Sequence, residues 1–382
     1  QVPLNKASND ALDWEKCELW SEYVRKNRCN LADLVKIYRG ETVLDPRPNK
    51  HLNTIPDTWS QYASRWNEVV NNGISLDLLR EPPWQSQLPK NHPSLKDNLD
   101  LVLKSYKQGQ EEGKYLILRR DVLDILNEQG PQLKFYPIGA VPKPGYDMSE
   151  KIRQINDFSF PDGDSLNDCL DTEKFFPMHF EGVPHILNNV KDVQARAAQH
   201  GDPALTTFVA NTDVSGAYRH VPLAAESARL QCVSIPEVDV MIIDTALSFG
   251  CKASGYGFEL PAQIIQDLHR SSEPHCRLTV NLAPEPFSDT KWADDTSIVE
   301  YDLLSRLHES KWAQYKAMTT ILGPTAIQMD KDTDYFTFGS CLGLQVDTLD
   351  NTVSMKPEKI QKALDRIRET RLRPRLSKTS GL

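Results

Sequence analysis

The sequence predicts an α+β fold: a domain around an antiparallel sheet, preceded by a helical N-terminal extension. Three observations carry this. Apolar and aromatic residues recur at helical spacing through the first hundred or so positions. From about Phe135 the pattern changes to short strand-like runs punctuated by turn signals. The order of helices and strands beyond that point suits an antiparallel sheet with helices packed on it. At 382 residues the chain can bury a large core divided into two or three subdomains.

In order along the chain, residues 8–26 read as a helix capped by Ser8 or Asn9, with Trp14, Cys17, Trp20 and Val24 on one face. Asp45-Pro46-Arg47-Pro48-Asn49 reads as a linker. Asp57 is expected to cap a second helix carrying Trp59, Tyr62, Trp66 and Val69, and these aromatic stripes read as core. A helical run covers Leu95 to Gln108. Ile138 to Lys143 and Lys151 to Phe158, joined through Pro144-Gly145, form an expected hairpin from which Lys143 and Arg153 project. A helix from about Pro184 to Gln199 precedes a strand from Leu205 to Thr212 that ends in Asp213. Strands are expected near 229–235 and 238–243, a helix after Gly255-Tyr256-Gly257, a hairpin over about 289–300 and a helix from Leu303 to Thr320. The sequence contains no internal repeat or low-complexity tract.

Composition excludes several classes. The longest apolar runs, such as Val240 to Ile243, fall far short of the roughly 20 residues of a membrane helix, and no secretory signal is visible. The seven cysteines form no CxxC pairs and read as reduced core residues of an intracellular protein, cytoplasmic or nuclear. His275-Cys276 lacks a second ligand pair nearby, so no zinc site is expected. A chain beginning at Gln1 reads as a fragment or a processed product. The net charge of −9 argues against a generally basic surface, yet from Lys356 onward nine basic residues stand against three acidic ones. That tract suits phosphate contacts or, equally, a solvated helix face and tail.

The residues with the clearest chemistry are Asp294 and Asp295, adjacent at a hairpin turn, and Asp213 at the end of an earlier strand. Three carboxylates so spaced suit two Mg²⁺ ions, which take oxygen ligands and, roughly 3.5–4 Å apart, serve phosphoryl transfer. A bare Asp-Asp pair is also a common turn sequence.

The surroundings of these aspartates resemble the motifs of reverse transcriptases. Asp213, Tyr218 and Val221-Pro222-Leu223 match the first catalytic motif in order and spacing. Ile138 to Lys143 with Lys151 to Phe158 resembles the fingers hairpin, and Ser165 to Asp168 the segment that closes it. Ser248-Phe249-Gly250-Cys251-Lys252 is similar to the glycine motif beside the incoming nucleotide, and Trp292-Ala293-Asp294-Asp295 to the paired-aspartate motif. Leu342 to Asp347, followed by Met355 to Ile360, is similar to the primer grip and the start of the thumb. The resemblance covers about 135–370 and is closest to tyrosine-recombinase (DIRS-like) or LTR retrotransposons.

The resemblance implies a right-hand polymerase: a helical extension over 1–110, fingers over 111–204, a palm over 205–350 with an interleaved fingers segment at about 221–245, and a partial thumb over 351–382. It also implies residue roles. Asp213 and Asp294 would hold two Mg²⁺ ions, or Mn²⁺, with the Val214 carbonyl as a further ligand and Asp295 a weaker one. Lys143 and Arg153 would close on the β- and γ-phosphates of a dNTP, and the backbone of Ser215, Gly216 and Ala217 would approach them. Tyr218 would exclude a 2′-hydroxyl, while Phe249 and Gly250 would bound the base. Leu342, Gly343, Lys356 and Lys359 would contact an RNA or DNA template with its primer. Read singly, Lys143 and Arg153 are solvated charges, Tyr218 is core, and Phe249-Gly250 is a strand end and turn.

The sequence departs from the family at Trp292, where Tyr or Phe is usual, and at Ala253 to Gly257, where a small-Pro pattern is expected. Glu300 reads as a surface residue or an extra acidic neighbour. The expected function is an RNA-directed DNA polymerase core acting by two metal ions. The alternatives are a catalytically silent, retroelement-derived nucleic-acid-binding protein and an RNA-dependent RNA polymerase.

Overall fold

The computed structural model describes residues 11–143, 147, 152–273 and 285–371. Ser8 and Asn9, the Pro144-Gly145 turn, Lys151, His275-Cys276 and the basic positions beyond Arg371 lie outside the described residues. In chain order the elements are α1 (Trp14–Asn27), α2 (Leu31–Tyr38), α3 (Ala63–Asn72), α4 (Pro93–Asp97), α5 (Leu99–Glu111), β1 (Tyr115–Arg119), α6 (Leu123–Gln129), β2 (Ile138–Pro142), β3 (Ile152–Asn156) and α7 (Leu166–Cys169). There follow α8 (Val183–Gln199), β4 (Thr207–Asp213), β5 (Cys232–Ile235), β6 (Val240–Asp244), α9 (Lys252–Arg270), β7 (Ser288–Trp292), β8 (Asp295–Tyr301), α10 (Arg306–Leu322), β9 (Phe338–Cys341), β10 (Leu344–Asp347), β11 (Thr352–Ser354) and α11 (Pro357–Arg371). The strands pair antiparallel in four small sheets, so the fold is α+β with antiparallel sheets.

The chain divides into two compact units, one of residues 1–178, 215–265 and 318–326, the other of 179–214, 266–317 and 327–382. In the first, the sheet β1-β6-β5 is the organising layer. Leu116 and Leu118 of β1 point to one side with Val24, Leu34 and Phe135, while Ile117 points to the other with Leu103, Tyr106 and Val240. A strand buried on both faces loses the alternation that makes half-buried strands legible, and β1 lies ahead of Phe135, where strand-like runs are expected to begin. The helix expected over 8–26 is α1, capped by Asp13, whose carboxylate accepts the Lys16 N–H at 2.9 Å. The Asp57 cap is not formed: α3 begins at Ala63 after Tyr62, Trp59 lies outside it and is 45 % exposed, and Trp66 is fully buried. The Asp45 to Asn49 stretch is a braced loop within this unit, since Arg47 grips Asp45 at 2.8 Å. Helix α9 starts at Lys252 rather than after Gly257. Gly257 stands inside it because a Cβ there would lie 2.4 Å from Leu247 Cδ1 and 2.8 Å from Ile74 Cδ1.

In the second unit, β4, β8 and β7 form a three-stranded sheet with β8 central. Its apolar face, including Val209 and Val299, packs with Ile186, Val190 and Val193 of α8. Glu300 is neither a surface residue nor a loose acidic neighbour. It is fully buried and bound to Arg306 Nε at 2.5 Å, the partner that a buried carboxylate requires. Helix α11 has no buried residue, which fits its high charge.

Candidate active site

The carboxylates are positioned by strand register. Asp213 is the last residue of β4 and pairs with Asp295, the first of β8, while Trp292, the last of β7, pairs with Asp295 on the other edge. Two residues, Ala293 and Asp294, make the β7–β8 turn, and Ala293 has φ 53°. A two-residue hairpin with positive φ at its first centre favours glycine there, so Ala293 holds a backbone conformation that costs about 1–2 kcal/mol. The turn is tied down from outside, because the Val214 N–H donates to the Asp294 carbonyl at 3.2 Å. The Gln328 N–H donates to the Asp213 carbonyl at 3.0 Å, fixing the other side of β4.

The Asp294 and Asp295 carboxyls both lie in the field of Asp213, and Asp295 in that of Asp294 as well. Burial, then the charge of Asp213, pushes the Asp294 carboxyl above the usual range. Asp295 reaches solvent at its outer edge, yet partial burial, a hydrogen bond with Asp213 and the charges of Asp294 and Asp213 push it up to about 7. Asp213 itself is 4 % exposed, and its carboxylate is paired with the ammonium of Lys331. Partial burial works against the charge of Lys331, but the bond to Asp213 leaves its pKa raised.

Hard oxygen donors with surplus negative charge fit Mg²⁺ or Mn²⁺ in chemistry. Among the described residues, however, no three His, Cys, Asp or Glu side chains are disposed as a ready metal cage. The Lys331 ammonium would have to leave Asp213 before a cation could take that oxygen. The Val214 residue is buried, next to Asp213 in the chain. Sequence reasoning missed Lys331, which stands 118 positions from Asp213 with no motif around it.

A buried polar network underlies β7. His269 binds Asp289 of β7 at 2.5 Å and Ser310 at 3.1 Å, all three being fully buried. Arg270 bridges Asp289 and Glu181 at 2.9 Å each, and Glu181 accepts the Lys291 N–H at 3.1 Å. A Ser-His-Asp array with no surface access can admit no substrate, so it acts by fixing the strand that ends at the aspartate turn. Trp292 stacks obliquely on Phe180, ring centres 5.1 Å apart.

The residues expected to handle the nucleotide lie in the other unit. Gly216 has left-handed φ 58°, which starts the turn Ala217 to His220. The Ser215 N–H donates to the Ala326 carbonyl at 2.8 Å, so this amide is already engaged and is not open to a phosphate. The Tyr218 ring rests on Phe249 at 4.8 Å and meets Phe258 edge-on at 5.9 Å. Gly250 has φ 96°, and a Cβ there would sit 2.3 Å from the Asn156 carbonyl. Two amides hold this turn: Asn156 Nδ2 donates to Ser248 Oγ at 2.9 Å, and Asn167 Nδ2 donates to the Gly250 carbonyl at 2.9 Å. Asn167 was not expected to bear on the site, although the capping box of Ser165 and Asp168 that presents it is readable as S-x-x-D. Arg153 lies in β3 opposite Val141, exposed, and Lys143 follows the end of β2.

Back in the second unit, Leu342 (φ 47°) and Gly343 (φ 83°) form the β9–β10 turn. Lys359 Nζ of α11 donates to the Gly343 carbonyl at 2.8 Å, so two residues expected at a primer contact each other. Lys356 precedes α11, its carbonyl accepting the Lys359 N–H at 2.9 Å.

No family model and no curated protein matches the chain. No described helix is long and apolar enough to cross a membrane. The chain is similar in structure to the foamy viral protease-reverse transcriptase, solved in complex with double-stranded DNA, with 13 % identity and a TM-score of 0.49 over 86 % of this chain. The match covers 48 % of that solved chain, so the present chain spans about half its length.

Proposed function

We propose that the chain is the core of an RNA-directed DNA polymerase that adds dNTPs to a primer. The observation that carries the reading is the meeting of Asp213, Asp294 and Asp295 at one end of the β4-β8-β7 sheet, with two of the three carboxyls pushed up in pKa. Partly buried carboxyls that also lie in one another's field retain protons, which a divalent cation could displace. Mg²⁺, when bound, would supply activation of the primer hydroxyl and neutralisation of the leaving phosphates. Asp213 and Asp294 would hold it, with Asp295 and the Val214 carbonyl as lesser donors. Lys143 and Arg153 would bind the phosphates, and Tyr218 on its Phe249 support would shape the sugar pocket.

A second reading has one observation in its favour. The Lys331 ammonium neutralises Asp213 without metal, as in a silent nucleic-acid-binding descendant of a polymerase. Extension of a DNA primer on an RNA template with dNTPs and Mg²⁺ or Mn²⁺ separates the two. Extension by the parent and none by Asp294→Asn supports the polymerase. Binding of template-primer with no extension by either overturns it in favour of the silent protein, and efficient use of rNTPs by the parent would point instead to an RNA polymerase.

A further inference from the structure

In the unit that carries Tyr218, a cavity of about 590 Å³ opens beside Ser215 and Gly216. Four Lys or Arg side chains line it, and Glu112 is the sole carboxylate among its lining residues. The chain as a whole is acidic, at −9. Another cavity of about 390 Å³ in the same unit has the reverse balance, with Asp77, Glu81 and Glu226 around a single Arg229. The cationic lining is thus local, and its volume falls within the 300–1,000 Å³ typical of small-molecule sites.

The four cations fall into two kinds. Arg39 and Arg219 are structural. The Arg39 side chain is 3 % exposed and donates to the Leu223 carbonyl at 2.8 Å and to that of Thr245, and Arg219 is locked on Asp244 at 2.5 Å. Lys50 and Lys114 are 36 % and 30 % exposed, and their partners, Asp45 at 3.4 Å and Glu112 at 2.5 Å, form pairs open to solvent. Such pairs contribute little and exchange readily for a stronger anion. His51 adds a donor beside Lys50. His220, its pKa lowered by burial, stays neutral and donates Nε2–H to the Ser215 carbonyl at 2.8 Å, which leaves that wall uncharged and fixed. At Gly216 the wall is open, because even an added Cβ would meet nothing nearer than Arg219 Cβ at 3.9 Å.

We propose that this cavity binds a polyphosphate, either inorganic pyrophosphate or the phosphate tail of a nucleotide, gripped by Lys50, His51 and Lys114. Two lysine point charges and an imidazole suit a multiply charged anion whose oxygens turn freely, and they lack the fork geometry that would select a single carboxylate. The source of the anion rests on the polymerase reading, since nucleotide transfer releases pyrophosphate. The anion site itself rests only on the cavity and its charge.

The test is calorimetric titration of pyrophosphate, and separately of dATP, into the whole chain in EDTA without nucleic acid. Parent binding of either anion is expected, about tenfold weaker in the Lys50→Gln/Lys114→Gln double variant and weakening steeply with salt. The single variants should each lose about threefold, with unfolding midpoints matching the parent. Equal affinity for both anions identifies the phosphates as the recognised part, and binding of pyrophosphate alone identifies the product. No binding by the parent, binding unaffected by both lysine changes, or loss on Lys143→Ala/Arg153→Ala instead would each overturn the proposal. None of these outcomes depends on primer extension, so a failure of the polymerase reading shows separately.

Discussion

Asp213 and Asp295 face each other at the last rung of the β4–β8 ladder, and the Lys331 ammonium closes on Asp213. Two like charges have been brought to one rung and then neutralised by a proton and a lysine.

In metal-free protein the proton on Asp295 contributes to stability. Its folded pKa of about 7 lies above that of the unfolded carboxyl, so between those values the fold keeps a proton that the unfolded chain has released. The contribution is fully present below about pH 4 and is lost as pH rises through about 7. Thermal unfolding in EDTA should therefore show a midpoint that falls over this window by roughly a few degrees, with the fall flattened in Asp295→Asn. An equal slope in both proteins would remove Asp295 as the cause.

A divalent cation held by Asp213, as the polymerase reading proposes, would have to displace Lys331 from that carboxylate. Lys331 is 60 % exposed, so its pair with Asp213 contributes only about 1 kcal/mol, a factor of about five in affinity. Lys331→Gln is expected to bind Mn²⁺ about fivefold more tightly without nucleic acid, read from the signal of free Mn²⁺ by electron paramagnetic resonance. Unchanged or weaker binding would mean that the lysine does not block the site.

The buried His269–Asp289 pair makes a stability claim. Burial opposes the charge on Asp289, but His269 first, then Arg270 and Gln266, hold its carboxyl below the usual range. His269→Ala removes the principal partner from a fully buried charge. It should cost about 3 kcal/mol, toward the low end for a broken buried pair because Arg270 and Gln266 remain. Ser310→Ala, which removes one hydrogen bond to the same imidazole, should cost less, about 1 kcal/mol. Urea denaturation of the two variants checks the order.

The parts of this fold that were legible in sequence are those whose signal is local. The hairpin carrying Asp294 and Asp295 was expected at about 289–300 and spans Ser288 to Tyr301, because its strands flank a two-residue turn. Helix α8 and strand β4 follow their apolar periodicity in the same way. What was not legible depends on distant partners. Lys331 has meaning only through Asp213, and Glu300 looks like a free acid until Arg306 is placed beside it. Gly255 and Gly257 read as a helix start when they are interior residues of α9, with close packing at Gly257 keeping a side chain out. Strand β1, buried on both faces, carries no alternation to mark it.

Gly250 and Gly163 separate backbone strain from contact. Both have positive φ, 96° and 80°, so Ala at either place incurs the left-handed cost of about 1–2 kcal/mol. At Gly163 a Cβ meets nothing within 4 Å, whereas at Gly250 it would lie 2.3 Å from the backbone carbonyl of Asn156. Gly250→Ala should therefore lose at least about 2 kcal/mol more than Gly163→Ala in urea denaturation. Near-equal losses would show that β3 and the Phe249-Gly250 turn can shift apart.

Selection of the sugar by Tyr218 rests on the polymerase reading. Tyr218 is held by Phe249 at 4.8 Å and by Phe258 at 5.9 Å, so on that reading its ring would be fixed against a 2′-hydroxyl. Tyr218→Ala should raise rNTP use relative to dNTP by roughly a hundredfold, equivalent to about 2.7 kcal/mol in the transition state. Phe249→Ala leaves the Tyr218 ring present but removes one support, and should give a smaller rise, about fivefold. Phe249 is half exposed, so this variant is expected to fold. Competition between labelled rNTP and dNTP in single-nucleotide extension reads both ratios. A rise with Phe249→Ala as large as that with Tyr218→Ala would shift the gate from the tyrosine ring to its support.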